Sequence, residues 1–184
     1  ISSAAQAATL IEDKFDTSPD WDSRTDAVSS IISDSPNAWT TIWPTQTDTR
    51  HGEIQSAYGN SGKGFRFSLD SSGGPTQESC LFGGGSLSQP SLFWAYRWKC
   101  STLNWGTGGK ILKMTRFYAS PGSAGPGIIP EWNGTSMTVA YGIDYAQTAT
   151  CYTLTDTNYH SYLWQFERGT NANDGVIRLW VDGV

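Results

Sequence analysis

The sequence predicts an all-β protein, a sandwich or a barrel of short strands rather than a βαβ fold. Three observations carry that expectation. Aromatic residues reach 13% and charged residues only 16% of the 184-residue chain, alongside 20 glycines, a mixture that suits half-buried strands joined by tight turns. Helical periodicity is nearly absent beyond an Ala-rich stretch at 1–12, where Leu10 and Ile11 allow one short helix. Two-residue alternation, by contrast, recurs along the chain, punctuated by clusters of turn formers.

The elements follow in order. In Gly64-Phe65-Arg66-Phe67-Ser68-Leu69-Asp70 every second residue is apolar, as in a strand with one buried face. From Leu92 to Cys100 one face reads Leu92, Trp94, Tyr96, Trp98, Cys100 and the other Phe93, Ala95, Arg97, Lys99. Further strands are expected at 111–118, 137–144, 160–167 and 176–182. Between them lie Ser71-Ser72-Gly73-Gly74-Pro75, Gly83-Gly84-Gly85, Gly106-Thr107-Gly108-Gly109 and the stretch Ser120 to Gly127, all rich in residues that terminate strands. Neither a repeat nor a linker interrupts the pattern, so residues 1–184 are expected to form a single domain, a length that can bury a full core.

Charge and cysteine usage exclude several functions. The net charge of −5 speaks against a nonspecific nucleic-acid binder, which needs a basic surface. No apolar run approaches the roughly 18 residues of a membrane span. The chain opens on Ile1 rather than Met, as either leader removal or a trimmed end would leave it. Of three cysteines, Cys80 and Cys100 flank a Gly-rich loop and a strand and are the expected disulfide; a buried free thiol is the alternative for each of the three. No two cysteines sit at metal-ligand spacing and His51 and His160 stand apart, which argues against zinc.

The segment Tyr159-His160-Ser161-Tyr162-Leu163-Trp164-Gln165-Phe166-Glu167, followed by Asn173-Asp174-Gly175-Val176-Ile177-Arg178-Leu179-Trp180-Val181-Asp182-Gly183, resembles a hairpin of the concanavalin A-like lectin/glucanase superfamily. Phe93-Trp94-Ala95-Tyr96-Arg97-Trp98-Lys99 with Gly108-Gly109-Lys110-Ile111-Leu112-Lys113 is similar to the central strands of jelly-roll polysaccharide lyases of the alginate- and glucuronan-lyase type. Asp13-Lys14-Phe15-Asp16, with Trp21 after it, suits the first strand of such domains. The resemblance implies a two-sheet antiparallel β-sandwich, a jelly roll, in a secreted or cell-surface setting. It also implies that Ca2+ is a candidate cofactor, with Asp13, Asp16 and Asp182 brought together if the first and last strands pair. Superfamily members continue past the Asp-Gly turn into closing strands, so a chain ending at Val184 is expected to be a fragment or to close its sheet differently.

Taking the apolar side of each strand as core leaves Arg66, Arg97, Lys99, Lys113, Gln165, Arg178 and Trp180 outward. Five of the twelve Lys and Arg fall in that set, and no Asp or Glu lies between Ser79 and Pro130. A basic sheet face on an acidic protein suits an anionic polysaccharide; the competing reading is a face of ordinary solubilising charges. Loop or outward tryptophans (Trp39, Trp43, Trp105, Trp132, Trp180) offer indole faces for sugar rings, or else cover the ends of a sandwich. The lyase resemblance implies β-elimination, for which Arg97, Lys99 or Gln165 would neutralise the substrate carboxylate, and Tyr141, Tyr145 and His160 are the acid–base candidates by residue type. Glycoside hydrolysis is disfavoured, because Glu53, Glu78, Glu131 and Glu167 lack the Glu-x-Asp-x-x-Glu spacing of the superfamily's glucanases. Asn133-Gly134-Thr135 is a formal glycosylation sequon. The rival function is a structural or surface protein, a virion or filament component, whose open sheet edge is completed by a neighbouring chain.

Overall fold

The computed structural model describes residues 14–32, 39–43, 51–59, 61–68, 80–83, 91–104, 109–110, 115–116, 126–132, 135–143, 146–170 and 174–184. The fold is all-β, and every strand pairing is antiparallel. Among the described residues there is no α-helix, only single 3₁₀ turns at Val28–Ser30 and Ser56–Tyr58. The helix expected over 1–12 lies outside them. The sheets are small: three strands, two strands, five strands and three strands. The chain divides into two compact units, residues 1–88 and 89–184.

The first unit holds β1 (Trp21–Asp22), β2 (Trp39–Trp43), β3 (His51–Gln55), β4 (Gly64–Ser68) and β5 (Cys80–Gly83). β1, β3 and β4 form one sheet and β2 pairs with β5. Across the three-stranded sheet Trp21 lies opposite Ile54 and Ile54 opposite Phe65, while Asp22, Glu53 and Arg66 fall in the next row. Period-two alternation therefore sorts the sheet into an apolar and a charged face. Trp21, Ile31 and Ile54 are buried, with Phe15, Val28, Trp39 and Phe65 packed against them. The Trp21 indole N–H donates to the Ala27 carbonyl at 3.0 Å, which satisfies the polar atom of an otherwise apolar anchor. Gly52 leaves room for the Phe65 ring; a Cβ there would stand 2.5 Å from it.

The first-strand expectation for residues 13–16 needs correction. Asp13 is outside the described residues, and Phe15 has a φ of 59°, a left-handed conformation that cannot continue a strand. Its ring turns into the core, stacked on Trp39 at 6.1 Å. The strand begins only at Trp21. Trp39 and Trp43, expected in loops or on outward positions, are the first and last residues of β2.

The second unit holds β6 (Ser91–Trp98), β7 (Gly109–Lys110), β8 (Thr115–Arg116), β9 (Pro126–Trp132), β10 (Met137–Ile143), β11 (Ala146–Thr153), β12 (His160–Glu167) and β13 (Val176–Val181). One sheet runs β11–β10–β9–β7 with β8 also on β9; the other runs β13–β12–β6. The strands expected at 92–100, 137–144, 160–167 and 176–182 correspond to β6, β10, β12 and β13. Of 111–118, the described part is the short β8. One apolar cluster draws on both sheets: Ile128, Met137 and Val139 from one, Tyr162, Trp164 and Val181 from the other, with Cys100 and Leu154. Trp164 is fully buried, and its indole donates to the Tyr96 hydroxyl at 3.0 Å.

Cys100 is a buried free thiol and Cys151 an exposed one. One half of the expected Cys80–Cys100 bridge is therefore a thiol here, while the Cys80 side chain lies outside the described residues. Burial raises the pKa of the Cys100 thiol.

Candidate functional site

The three-stranded sheet β13–β12–β6 has an inner face of Trp94, Tyr96, Trp98, Tyr162, Trp164 and Leu179, all in or against the core. Its outer face follows from the register. Ser161 lies opposite Arg97, Leu163 opposite both Ala95 and Trp180, and Gln165 opposite both Phe93 and Arg178. Glu167 lies opposite Ser91 and Val176. Four rows result, each roughly 7 Å from the next along the strands.

The rows differ in character. At the first, the Arg97 Nε donates to Ser161 Oγ at 3.1 Å; among the described residues Arg97 makes no salt bridge, although its charge acts on the Asp182 carboxyl at the same edge. Lys99, two residues further on the same side, sits 4.7 Å from the centre of the Tyr159 ring, a cation–π contact that leaves its charge uncancelled. The second row is apolar: Ala95, Leu163 and Trp180. It floors an open depression of about 540 Å³ whose lining also includes Arg97, Ser161 and Gly183. Phe93 in the third row is 53% exposed and Leu163 38%, so apolar area continues beyond the depression. The far end is closed on itself. Arg178 donates to Glu167 Oε1 at 2.8 Å and to Gln165 Oε1 at 3.1 Å, and the Gln165 amide donates to the same Glu167 oxygen.

At the near edge of this face the chain leaves β13 through a tight turn. Asp182 and Gly183 have φ of 52° and 88°, which glycine adopts freely and aspartate tolerates. Asp182 Oδ1 accepts from the Ser161 backbone N–H at 2.9 Å and Oδ2 lies 2.7 Å from His160 Nδ1. The other imidazole nitrogen, Nε2, lies 3.2 Å from Asp156 Oδ1. The hydrogen bond to Asp182 raises the His160 pKa above its ordinary value, with Asp156 adding to it. The same bond holds the Asp182 carboxyl below the usual range, and the Asn158 backbone N–H chiefly does so for Asp156. His160 turns inward with Tyr162, its ring edge-on to Tyr152 and Tyr162.

A second polar cluster, in the first unit, was missed in the sequence. Glu53 is a buried carboxylate paired with the Arg66 guanidinium, 3.7 Å from Arg24 and 3.4 Å from His51 Nε2. The Tyr58 hydroxyl donates to it at 3.3 Å, and Arg66 lies 4.2 Å over the Tyr58 ring. Arg24 also binds Asp22 through its side chain, holding that carboxyl below its ordinary range. The signal available was the pattern His51-Gly52-Glu53, which puts an imidazole and a carboxylate on one strand face. Reading His51 as isolated hid it.

Of the residues expected to bind, Arg97, Gln165, Arg178 and Trp180 share the outer face, and Lys99 continues it. Arg66 belongs to the first unit and is committed to Glu53. Lys113 lies outside the described residues, as do Tyr145, Trp105 and Asn133-Gly134 of the sequon. Trp132 ends β9. Tyr141 sits on β10, half-buried against the core cluster, and burial raises the pKa of its phenol. Tyr141 and His160 are therefore on core-facing positions, whereas Arg97 and Gln165 face out.

For a metal, the described residues contain no group of three or more His, Cys, Asp or Glu placed to hold one. Asp13 of the candidate calcium set lies outside them, Asp16 accepts from the Lys63 backbone N–H, and both Asp182 oxygens are engaged as described. Among the described residues no helix is long and apolar enough to cross a membrane. No family model, curated protein or solved structure matches the chain.

Proposed function

We propose that this protein recognises an extracellular acidic polysaccharide through the outer face of β6, β12 and β13, on a scaffold that closes as a two-sheet antiparallel jelly roll. The observation that supports the site is the pairing of two cations that make no salt bridge among the described residues, Arg97 and Lys99, with an open apolar depression over Ala95, Leu163 and Trp180. A guanidinium matches a sugar carboxylate in shape and charge. Indole and aliphatic surface beside it takes the C–H face of a sugar ring. The core cluster shared by both sheets of the second unit supports the sandwich.

Binding stands ahead of cleavage. β-Elimination needs a base and an acid within reach of the sugar that the cation neutralises, and Tyr141 and His160 lie on core-facing positions instead. The test is incubation with alginate, glucuronan, pectate and glycosaminoglycans, with and without calcium, together with retention on the same polymers as gels. Retention lost in Arg97→Ala, with no rise in ultraviolet absorbance from unsaturated uronates, is the expected result. A steady absorbance rise would instead make the protein a lyase, and retention unchanged by Arg97→Ala would remove the site.

A second reading, assembly with other copies, draws support from Phe93 and Leu163 standing exposed on that face, because exposed apolar area is also what protein contacts use. Size-exclusion chromatography separates the two: a monomer indifferent to concentration speaks against assembly, and large regular particles speak for it.

A further inference from the structure

The outer face is polarised along its strands, and this restricts the polymer it can take. From the Arg97 row to the Phe93–Gln165–Arg178 row is four residues of β6, roughly 13 Å, longer than one sugar ring. Cations that make no salt bridge stand only at the Arg97 end among the described residues of this face, with the Asp182 carboxyl, bound by His160, beside them. The middle row offers no charge at all. At the other end the Arg178 cation is cancelled by Glu167, whose oxygen also takes the Gln165 amide. Arg168 follows β12 outside the paired rows.

A homopolymer of uronic acids carries a carboxylate on every ring. Seated with one carboxylate at Arg97, it would bring the following ones over Leu163 and Trp180 and towards Glu167. A charge over apolar surface loses hydration without gaining a partner, and a second one meets a carboxylate of like sign. A polymer in which a charged sugar is followed by a neutral one avoids the first of these costs, because no charge then falls on the apolar row. Its neutral ring lies on the Leu163–Trp180 row, and its hydroxyl or amide groups reach Gln165, which both donates and accepts.

Building on the acidic-polysaccharide reading, we propose that the ligand class is a heteropolysaccharide alternating anionic with neutral sugars, the anion being a carboxylate or sulfate held by Arg97 and Lys99.

The experiment compares chondroitin oligomers, in which uronate alternates with N-acetylhexosamine, with polygalacturonate oligomers of equal length by titration calorimetry at one ionic strength. N-acetylglucosamine oligomers serve as the uncharged control. Chondroitin is expected to bind about fivefold tighter than polygalacturonate, the scale of one exposed charge contact. Arg168→Ala should change neither ligand. Polygalacturonate binding as tightly as chondroitin, still lost in Arg97→Ala, would overturn the alternation while leaving the acidic-polysaccharide reading intact. Binding of either polymer that survives Arg97→Ala and Trp180→Ala would instead remove the reading on which the inference rests.

Discussion

Arg66 and Arg97 occupy equivalent places in the sequence pattern, each flanked by aromatic residues that turn to the opposite side of a strand. Their surroundings in the fold diverge. Arg66 faces Glu53 across β3 and β4 and is held there, with Tyr58 under its guanidinium. Arg97 faces Ser161 across β6 and β12 and makes no salt bridge, although its charge acts on the Asp182 carboxyl. A carboxylate on the partner strand makes an arginine structural, whereas a hydroxyl leaves it available to a ligand. An outward cation becomes informative only once its cross-strand neighbour is known.

Substitutions in the two regions should separate these roles. The largest effect is expected beneath the binding face: Trp164→Ala removes a fully buried side chain and should cost about 3–5 kcal/mol, read as a lowered midpoint in urea unfolding. Next is Glu53→Ala, which leaves Arg66 and Arg24 without their shared carboxylate. Those side chains are 45% and 32% exposed and regain water, so the loss should be about 2–3 kcal/mol, below that for a fully buried pair. Arg66→Ala should cost about 1 kcal/mol and leave polysaccharide retention unchanged.

Arg97→Ala is the mirror image, with stability within about 0.5 kcal/mol of the parent and retention lost. If Arg97→Ala destabilises as much as Arg66→Ala, the contrast between a structural and an available arginine fails.

A smaller effect is expected from pH at the edge of the binding face. The His160 pKa is raised from its ordinary 6.5, so its contribution to stability is complete below that value and fades as pH climbs through the folded-state pKa. The carboxyls of Asp182 and Asp156 are lowered from 3.8; their contribution is complete above that value and fades as pH falls through the folded-state pKa. The clasp is thus strongest between the ordinary carboxyl value of 3.8 and the ordinary histidine value of 6.5. His160→Gln should flatten the alkaline limb of a melting-temperature profile between pH 5 and 9, and an unchanged limb would mean that the clasp adds nothing to stability.

Alternation alone located the strands at 64–68, 91–98, 137–143, 160–167 and 176–181 to within a few residues, because one side of each is apolar. It also put Arg97, Gln165, Arg178 and Trp180 on the outer face. It failed where the pattern is weak. β9 contains Pro126-Gly127 and Pro130, which read as a turn. β11 is Ala-Gln-Thr-Ala-Thr-Cys-Tyr-Thr, too polar to register as half-buried, and its pairing with β10 slips at two points. The Glu53 cluster joins residues from three strands and two connections, and the closure of Arg178 by Glu167 depends on the β12–β13 register. Neither pairing is encoded in the spacing of any one segment.

The inner side of the β6–β12–β13 sheet has a consequence for following this protein in solution. Tyr96 and Tyr162 stack with ring centres 5.1 Å apart and an interplanar angle of 16°, and Trp164 and Phe166 stack at 6.1 Å and 12°. Rings fixed against one another in an asymmetric setting give a near-ultraviolet circular dichroism signal that disappears when side-chain packing loosens, even while the strands persist. That signal reports the layer on which the rows of the outer face rest. Conditions that erase it but leave the far-ultraviolet spectrum intact should keep the sheet and lose the spacing between Arg97 and Trp180.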